Sequence, residues 1–253
     1  MLIKIALNGA RPKKQNKFIP QSLTEIEKEV KLLFENGHKV FHIHCYDKSG
    51  NESLKPEDVN NLVSTIKNIS PEIQIGISSG DWIEPDLSKR KSCIEGWKNL
   101  PDFISVNIIE DDAIEISKLL LSRGVKVEAG LNEKKAAEKL VESGLYKDCF
   151  RILIEPEPEI LKDAIECIDE IEEVLNKNSI KVPRLLHGFN SVSWEILREA
   201  KRRGYDSRIG MEDTIYLENG EMVKSNLELI NYAQKILSLD VTPVPISGSR
   251  TVM

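Results

Sequence analysis

Hydrophobic and polar residues follow two alternating patterns from one end of the chain to the other. Short segments that are apolar at every second residue predict half-buried strands, whereas longer segments with apolar residues at three- and four-residue spacing predict amphipathic helices. We predict eight of each. The predicted strands are residues 3–8, 40–45, 73–78, 103–108, 126–131, 150–155, 184–188 and 207–212. The predicted helices are residues 22–36, 56–68, 88–99, 111–123, 133–143, 157–176, 191–203 and a final helix from residue 225.

Eight strand–helix units without a long linker predict an α/β fold, a single (β/α)8 TIM barrel, rather than an open sheet. We expect residues 1–253 to form a single domain. In strand three, Ile73, Ile75 and Ile77 alternate with small or polar residues, so one face is expected to pack on the helices and the other to face the lumen. Polar residues near the strand ends should therefore meet at the C-terminal mouth, where such barrels carry active sites.

The composition favours a folded protein that acts on small molecules. The chain has 253 residues, of which 40% are hydrophobic and 30% charged, and a formal net charge of -6. A nucleic-acid or anionic-membrane surface needs concentrated basic residues, which an acidic balance does not favour. The N-terminus has no signal-peptide pattern, and no apolar run approaches the roughly 18 residues of a membrane-spanning helix, so we expect a cytoplasmic location. The four cysteines form no Cys-x-x-Cys pair and indicate neither a disulfide framework nor a thiolate zinc site.

The second predicted strand carries a His-x-His sequence. Successive side chains of a strand alternate faces, so His42 and His44 share one face while Phe41, Ile43 and Cys45 share the other. Two neutral imidazoles on one face can form half of a divalent-metal site. The spacing is equally compatible with two ordinary histidines on a half-exposed strand.

The eighth predicted strand ends in a cluster of charges. Ile209 and Met211 are expected to face the helices, which leaves Arg208 and Glu212 on the lumen side and Asp213 at the turn that follows. Burying several charges costs several kcal/mol unless they are paired or bind a metal. This pattern is compatible with a salt-bridged network that closes the barrel and with a functional site.

The functional interpretation combines the two strands. Two histidines and one carboxylate are a common catalytic-zinc ligand set that leaves a fourth position open, and His42, His44 and Glu212 supply such a set. A metal there would act as a Lewis acid on a substrate oxygen, and Asp213 would be placed to remove the neighbouring carbon-bound proton. Arg208 could pair with a substrate carboxylate.

Several motifs together resemble one known family. The chain resembles the β-keto acid cleavage enzymes, of the 3-keto-5-aminohexanoate cleavage enzyme type, over nearly its whole length. The motifs that carry the resemblance are Asn8-Gly9-Ala10, His42-Ile43-His44, Ser78-Ser79-Gly80, Arg208-Ile209-Gly210-Met211-Glu212-Asp213 and Ser225-Asn226.

The resemblance implies a zinc-dependent, Claisen-type exchange in which a β-keto acid and acetyl-CoA give acetoacetate and a new acyl-CoA. It implies that His42, His44 and Glu212 bind zinc and that Asp213 is the base, with Arg208 beside it. It also implies a homo-oligomer, often a tetramer. Substrate-contacting positions implied by the resemblance are Ser78 or Ser79, Asn107 and Glu128.

The middle of the chain departs from the family pattern. The stretch from Glu128 to Trp194 is short, and strand seven ends in Leu185-Leu186-His187-Gly188-Phe189-Asn190 rather than in a glycine-rich run. We expect His187 to line the mouth, although a packed histidine with one backbone hydrogen bond is the alternative.

Two other functions stay open. An amidohydrolase-like barrel hydrolase also uses His-x-His and a carboxylate from strand eight, but it needs further metal ligands in the lumen. Apart from His42 and His44, the chain has only two histidines, His38 and His187, to supply them. The short middle segment leaves a non-catalytic metal-binding barrel as the other alternative.

Overall fold

The structure is a computed structural model that describes residues 1–238. Within these residues, eight strands alternate with eight α-helices. The strands are β1 Ile3–Ala6, β2 Val40–His42, β3 Gln74–Ser78, β4 Phe103–Asn107, β5 Lys126–Leu131, β6 Arg151–Ile154, β7 Arg184–Leu186 and β8 Asp206–Ile209. The helices are α1 Leu23–Glu35, α2 Pro56–Ile69, α3 Leu87–Gly96, α4 Ala113–Ser122, α5 Lys134–Ser143, α6 Leu161–Lys177, α7 Ser193–Arg203 and α8 Asn226–Ser238.

The strands form one closed parallel barrel. Each strand pairs with the next along the chain, and β1 also pairs with β8 to complete the cylinder, with Ile5 opposite Ile209. The predicted (β/α)8 barrel is confirmed. The single-domain prediction for residues 1–253 includes residues 239–253, which lie outside the described residues, so that part stays a prediction.

The hydrophobic core fills the space between the strands and the surrounding helices. Ile5 on the outward face of β1 and Ile75 on the outward face of β3 are completely buried, as are Val30 and Leu33 on the inner side of α1. A capping box begins α1, since the Ser22 hydroxyl accepts from the Glu25 amide and the Glu25 carboxylate accepts from the Ser22 amide. These contacts satisfy amides that the helix itself cannot pair.

The floor of the lumen is a buried ionic layer. The Lys4 ammonium and the Arg151 guanidinium both bind the carboxylate of Glu128, at 2.5 Å for Arg151 Nε. The rings of Phe103 and Phe150 lie against these cations, and Gly76 leaves the space that the Phe103 ring occupies. Burial lowers the pKa of Lys4 to about 8, while Lys4 and Arg151 outweigh the effect of burial on Glu128 and lower its pKa. The layer closes the barrel beneath the mouth.

Six of the strands end earlier than the sequence pattern predicts, and the difference is largest, at three residues, for β2 and β8. Beyond His42, the Asn8 side chain replaces a neighbouring strand, because it accepts from the His44 amide at 2.9 Å and donates to the His44 carbonyl at 3.0 Å. Beyond Ile209, the chain turns, and the amides of Asp213 and Thr214 donate to the Gly210 carbonyl. A side chain at Gly210 would overlap the Ala6 backbone, so only glycine allows this close approach.

None of the helices within residues 1–238 has the length and apolar character needed to cross a membrane.

Candidate metal and active site

A cavity of about 430 Å³ opens at the C-terminal mouth of the barrel. Most of the residues that line it have polar side chains, and they come from the ends of most of the strands. The residues that line it are Ala10, Arg11, Pro12, Gln15, His42, His44, Ser78, Trp82, Ser105, Asn107, Gly130, Asn132, Glu155, Glu157, Phe189, Arg208 and Glu212.

Three potential metal ligands meet at one side of this cavity. One ligand atom from each of His42, His44 and Glu212 lies within 4.8 Å of the others. His44 Nε2 is 3.5 Å from Glu212 Oε1, and His42 Nε2 is 3.8 Å from Glu212 Oε2. Atoms that share a metal at about 2.0–2.2 Å lie roughly 3–4 Å apart. The predicted trio is therefore brought together although its members come from opposite ends of the chain.

Glu212 is held in place by the turn after β8. The Met211 amide donates to Asn226 Oδ1 at 2.8 Å, and Asn226 Nδ2 donates to the Leu7 carbonyl, which ties this turn to β1. Gly9 has a left-handed backbone with φ of 58°, and a Cβ there would overlap the Glu212 side chain. The Glu212 carboxylate is consequently fixed beneath the loop that follows β1.

The two histidines have different surroundings. Burial lowers the pKa of His42 well below its usual range, and Arg208 and Lys4 add to the effect. Burial also lowers the pKa of His44, but Glu212 and Glu52 outweigh it and raise the pKa to about 9. His42 is thus a neutral imidazole, the form that binds a metal, whereas a metal at His44 would replace a proton.

Each histidine also has a partner on its Nδ1 atom. His44 Nδ1 lies 2.5 Å from Glu52 Oε1. His42 Nδ1 lies 3.3 Å from the Ser105 hydroxyl, which in turn donates to Glu128 at 2.8 Å. Both rings can donate through a protonated Nδ1. The two Nε2 atoms then face Glu212 and are available to bind a metal.

The donor set fits a divalent metal. Glu212 Oε2 is buried without a hydrogen-bond partner, which is costly for a carboxylate unless a cation binds it. Burial alone would raise the pKa of Glu212, but the positive charges of Arg208 and His44 hold it well below the usual range. Two imidazole nitrogens and one ionised carboxylate oxygen match the ligand types that zinc prefers.

Asp213 forms a buried ion pair behind the cavity wall. Its carboxylate accepts from Arg208 Nη2 at 2.7 Å and from Arg208 Nε at 3.1 Å, while Arg208 Nη2 also reaches Glu212 at 2.9 Å. His187 lies between two carboxylates, 3.3 Å from Asp213 Oδ1 and 3.3 Å from Glu155 Oε2. Arg208 lines the cavity, and Asp213 is completely buried behind it.

The residues predicted to contact the substrate or to line the mouth divide into two groups. Ser78 and Asn107 line the cavity. Ser79, Glu128 and His187 do not: the Ser79 hydroxyl lies 3.5 Å from the Ser105 carbonyl, Glu128 belongs to the ionic floor, and His187 packs edge-on against Phe189. The alternation of side chains along a strand explains the division of Ser78 from Ser79, because adjacent residues face opposite ways.

Sequence reasoning assigned no role to several residues of this site, among them Ser105, Arg11 and Glu52. Ser105 lies on the polar face of β4, so its periodicity was a usable signal. Arg11 and Glu52 lie on loops, where no periodicity applies. Arg11 Nη2 donates to Asn190 Oδ1 at 2.8 Å and to the carbonyl of Glu212 at 3.1 Å.

Solved structures similar to this chain share its barrel at low sequence identity. A 3-dehydroquinate dehydratase from Geobacillus kaustophilus HTA426 is 11% identical, with a TM-score of 0.61 and coverage of 94% of this chain and 90% of that chain. A thiamine phosphate pyrophosphorylase from Pyrococcus furiosus is 14% identical, with a TM-score of 0.55 and coverage of 93% and 97%. At these identities the likeness shows the fold alone.

Two curated relatives share one description. The 3-keto-5-aminohexanoate cleavage enzyme of Acetoanaerobium sticklandii is 25% identical over an alignment of 251 residues. The match covers 91% of this chain and 89% of that protein. The enzyme of the same name from Fusobacterium nucleatum is 24% identical over an alignment of 248 residues. The match covers 91% of this chain and 88% of that protein. The family model for beta-keto acid cleavage enzyme matches residues 1–246. This chain therefore belongs to the β-keto acid cleavage enzyme family.

Proposed function

We propose that this protein is a zinc-dependent enzyme that exchanges a β-keto acid with acetyl-CoA to give acetoacetate and an acyl-CoA. In the net reaction, the bond between the keto carbon and the carbon next to the carboxylate breaks. The two-carbon carboxylate unit joins the acetyl group, and the remaining acyl group joins the sulfur of CoA. Zinc and acetyl-CoA are parts of this proposal; membership of the β-keto acid cleavage enzyme family supports the keto acid as substrate.

The observation that carries the proposal is the cluster of His42, His44 and Glu212, whose ligand atoms lie within 4.8 Å of one another at the cavity. The unpartnered Glu212 Oε2 supports a cation in the same place. When bound, a divalent metal supplies Lewis-acid polarisation of a substrate carbonyl, which makes the neighbouring carbon-bound proton easier to remove.

The chain itself must accept that proton. We assign Asp213 as the base and treat it with Arg208 as a unit, because the guanidinium lies between the Asp213 carboxylate and the cavity. Arg208 holds the Asp213 side chain in position, and it adds positive charge to the wall where a substrate carboxylate would bind. Ser78 and Asn107 are our proposed substrate contacts, since both side chains line the cavity.

The remaining sequence-based roles stay predictions. Because Ser79, Glu128 and His187 lie outside the cavity wall, we propose that they act on the substrate only through neighbouring residues. The homo-oligomer and the cytoplasmic location rest on the family resemblance and the sequence.

Metal analysis and a turnover assay test the proposal together. We expect His42→Ala and Glu212→Ala to lose zinc binding, and Asp213→Asn to keep zinc but lose turnover of a β-keto acid with acetyl-CoA. His38→Ala is the matched control, because His38 lies outside the site and should change neither property. Stoichiometric zinc in the His42→Ala protein would contradict the ligand assignment.

The same assay separates the alternatives. Formation of acyl-CoA and acetoacetate that requires acetyl-CoA supports the exchange. Consumption of the keto acid at the same rate without acetyl-CoA would support a hydrolase. Zinc binding without turnover across a panel of β-keto acids would favour a non-catalytic metal-binding barrel.

A further inference from the structure

The His44 imidazole lies between two carboxylates. Its Nε2 is 3.5 Å from Glu212 Oε1, on the cavity side, and its Nδ1 is 2.5 Å from Glu52 Oε1, on the opposite side. A carboxylate on the remote nitrogen of a metal-binding histidine fixes the tautomer, the ring orientation and the basicity of the coordinating nitrogen. Glu52 occupies that position.

Glu52 itself is rigidly held although it lies in a loop. The loop from Asp47 to Glu52 turns tightly, since Asp47 Oδ1 accepts from the amides of Ser49 and Asn51. Tyr46 and Glu52 then pair as an antiparallel bridge, which returns the chain to the end of β2. The Glu52 side chain is only 14% exposed, so its carboxylate is aimed at His44 rather than at solvent.

Trp82, from the loop after β3, contacts the same carboxylate. Its indole Nε1 donates to Glu52 Oε2 at 3.1 Å, and its ring lies nearly parallel to the His44 ring with centroids 6.5 Å apart. The ring packs on Gly80, where a Cβ would overlap it. Trp82 is nonetheless 49% exposed and lines the cavity, an unusual position for a large apolar side chain that serves packing alone.

We propose that Glu52 is a positioning residue for the metal ligand His44 and that Trp82 holds Glu52 in place. The two loops thereby form a clamp, defined here as Glu52 and Trp82, that sets the metal affinity of the site. The inference rests on the proposed function in one respect, namely that a metal binds at His42, His44 and Glu212.

The clamp predicts an effect that a simple brace between loops would not produce. A brace contributes to the stability of the apo protein, whereas a positioning carboxylate acts on the affinity of His44 for metal. Loss of a hydrogen-bonded partner of this kind typically lowers metal affinity about 10–100-fold. Trp82 adds a spectroscopic signal, because its ring lies nearly parallel to the ring of the metal ligand His44 and its indole donates to Glu52.

The test is a competitive titration of Zn²⁺ against a chromophoric chelator, with the full chain prepared free of metal. We expect Glu52→Gln and Glu52→Ala to lower zinc affinity about 10–100-fold and Trp82→Phe to lower it several-fold, with the apo melting temperature nearly unchanged. Glu57→Gln is the matched control, since it removes an exposed carboxylate near the same loop. The tryptophan fluorescence of the wild-type protein should change on zinc binding, and this change should disappear in Trp82→Phe.

The outcomes distinguish the two proposals. If the wild-type protein binds no zinc, both the metal site and the clamp are wrong. If the wild-type protein binds zinc and both Glu52 variants bind it equally well, the clamp alone is overturned. A lower apo melting temperature with unchanged zinc affinity would make Glu52 a structural brace, which also contradicts the proposal.

Discussion

At the scale of single residues, identical side chains acquire different properties from their neighbours. His42 and His44 are two positions apart, yet burial beside Arg208 and Lys4 lowers the pKa of the first, whereas two carboxylates raise the pKa of the second. The spacing of the pair predicts that both face the same side. It carries no information on the partners that hold each ring, because those partners lie elsewhere in the chain.

Ser105 tests whether the partner of His42 matters. Its hydroxyl lies between His42 Nδ1 and Glu128, so Ser105→Ala should leave the ring less well oriented and lower zinc affinity by about tenfold. Competitive zinc titration measures the effect. Ser117→Ala is the control, because the Ser117 hydroxyl is buried without a partner and its removal should not alter affinity. Equal affinities in the two variants would refute the role of Ser105.

At the scale of elements, periodicity predicts where strands and helices lie but not where they end. All eight predicted strands overlap observed strands, since the apolar face of each packs on the helices. The ends of β2 and β8 were predicted too late. Asn8 and Gly210 stop the regular pairing there through contacts with β2 and β1, and such contacts leave no local pattern.

The start of α1 allows a test against pH. Burial raises the pKa of Glu25, but Lys13 and the backbone of Ser22 and Gln21 outweigh it and lower the pKa from 4.5 to about 2. A carboxylate whose folded pKa is depressed contributes stability above pH 4.5, and that contribution is lost as the pH falls from 4.5 toward 2.

Glu25→Gln should therefore lower the free energy of unfolding by about 0.5–1 kcal/mol at pH 7, a modest figure because solvent screens this exposed pair. The difference from wild type should shrink below pH 4.5. Urea unfolding between pH 3 and 7 measures it, with the exposed Glu27→Gln as control. A difference that stays constant with pH would contradict the assignment.

At the scale of the whole molecule, closure of the barrel creates the site. Pairing of β1 with β8 brings the turn that carries Glu212 beside the loop after β1 and the end of β2. The ionic layer of Lys4, Glu128 and Arg151 closes the lumen below, so the polar groups meet in a cavity rather than a channel. A metal at this site would link segments from both ends of the chain.

Metal binding should consequently stabilise the entire fold. A ligand at a hundredfold excess over its Kd adds about 2.7 kcal/mol, which corresponds to a rise in Tm of about 5–10 °C for a protein of this size. Thermal unfolding with zinc and after addition of a chelator measures this rise. We expect the rise in the wild-type and His38→Ala proteins and its absence in His42→Ala. An equal rise in His42→Ala would indicate that zinc binds elsewhere.

The sequence by itself determined the eight strand–helix units, the shared face of His42 and His44, and the carboxylates at the end of strand eight. These features are local, since two-residue and 3.6-residue periods are set by the backbone geometry of each segment. The family motifs lie in the same segments.

Only the tertiary structure decided which polar residues reach the cavity and which neutralise one another. Ser78 and Asn107 line the cavity, whereas Glu128 is bound by Lys4 and Arg151 in the floor. Glu52 and Trp82 meet across two loops beside His44. Burial of a charge is costly without a partner, and the partner available is determined by how distant segments pack, which no local pattern records.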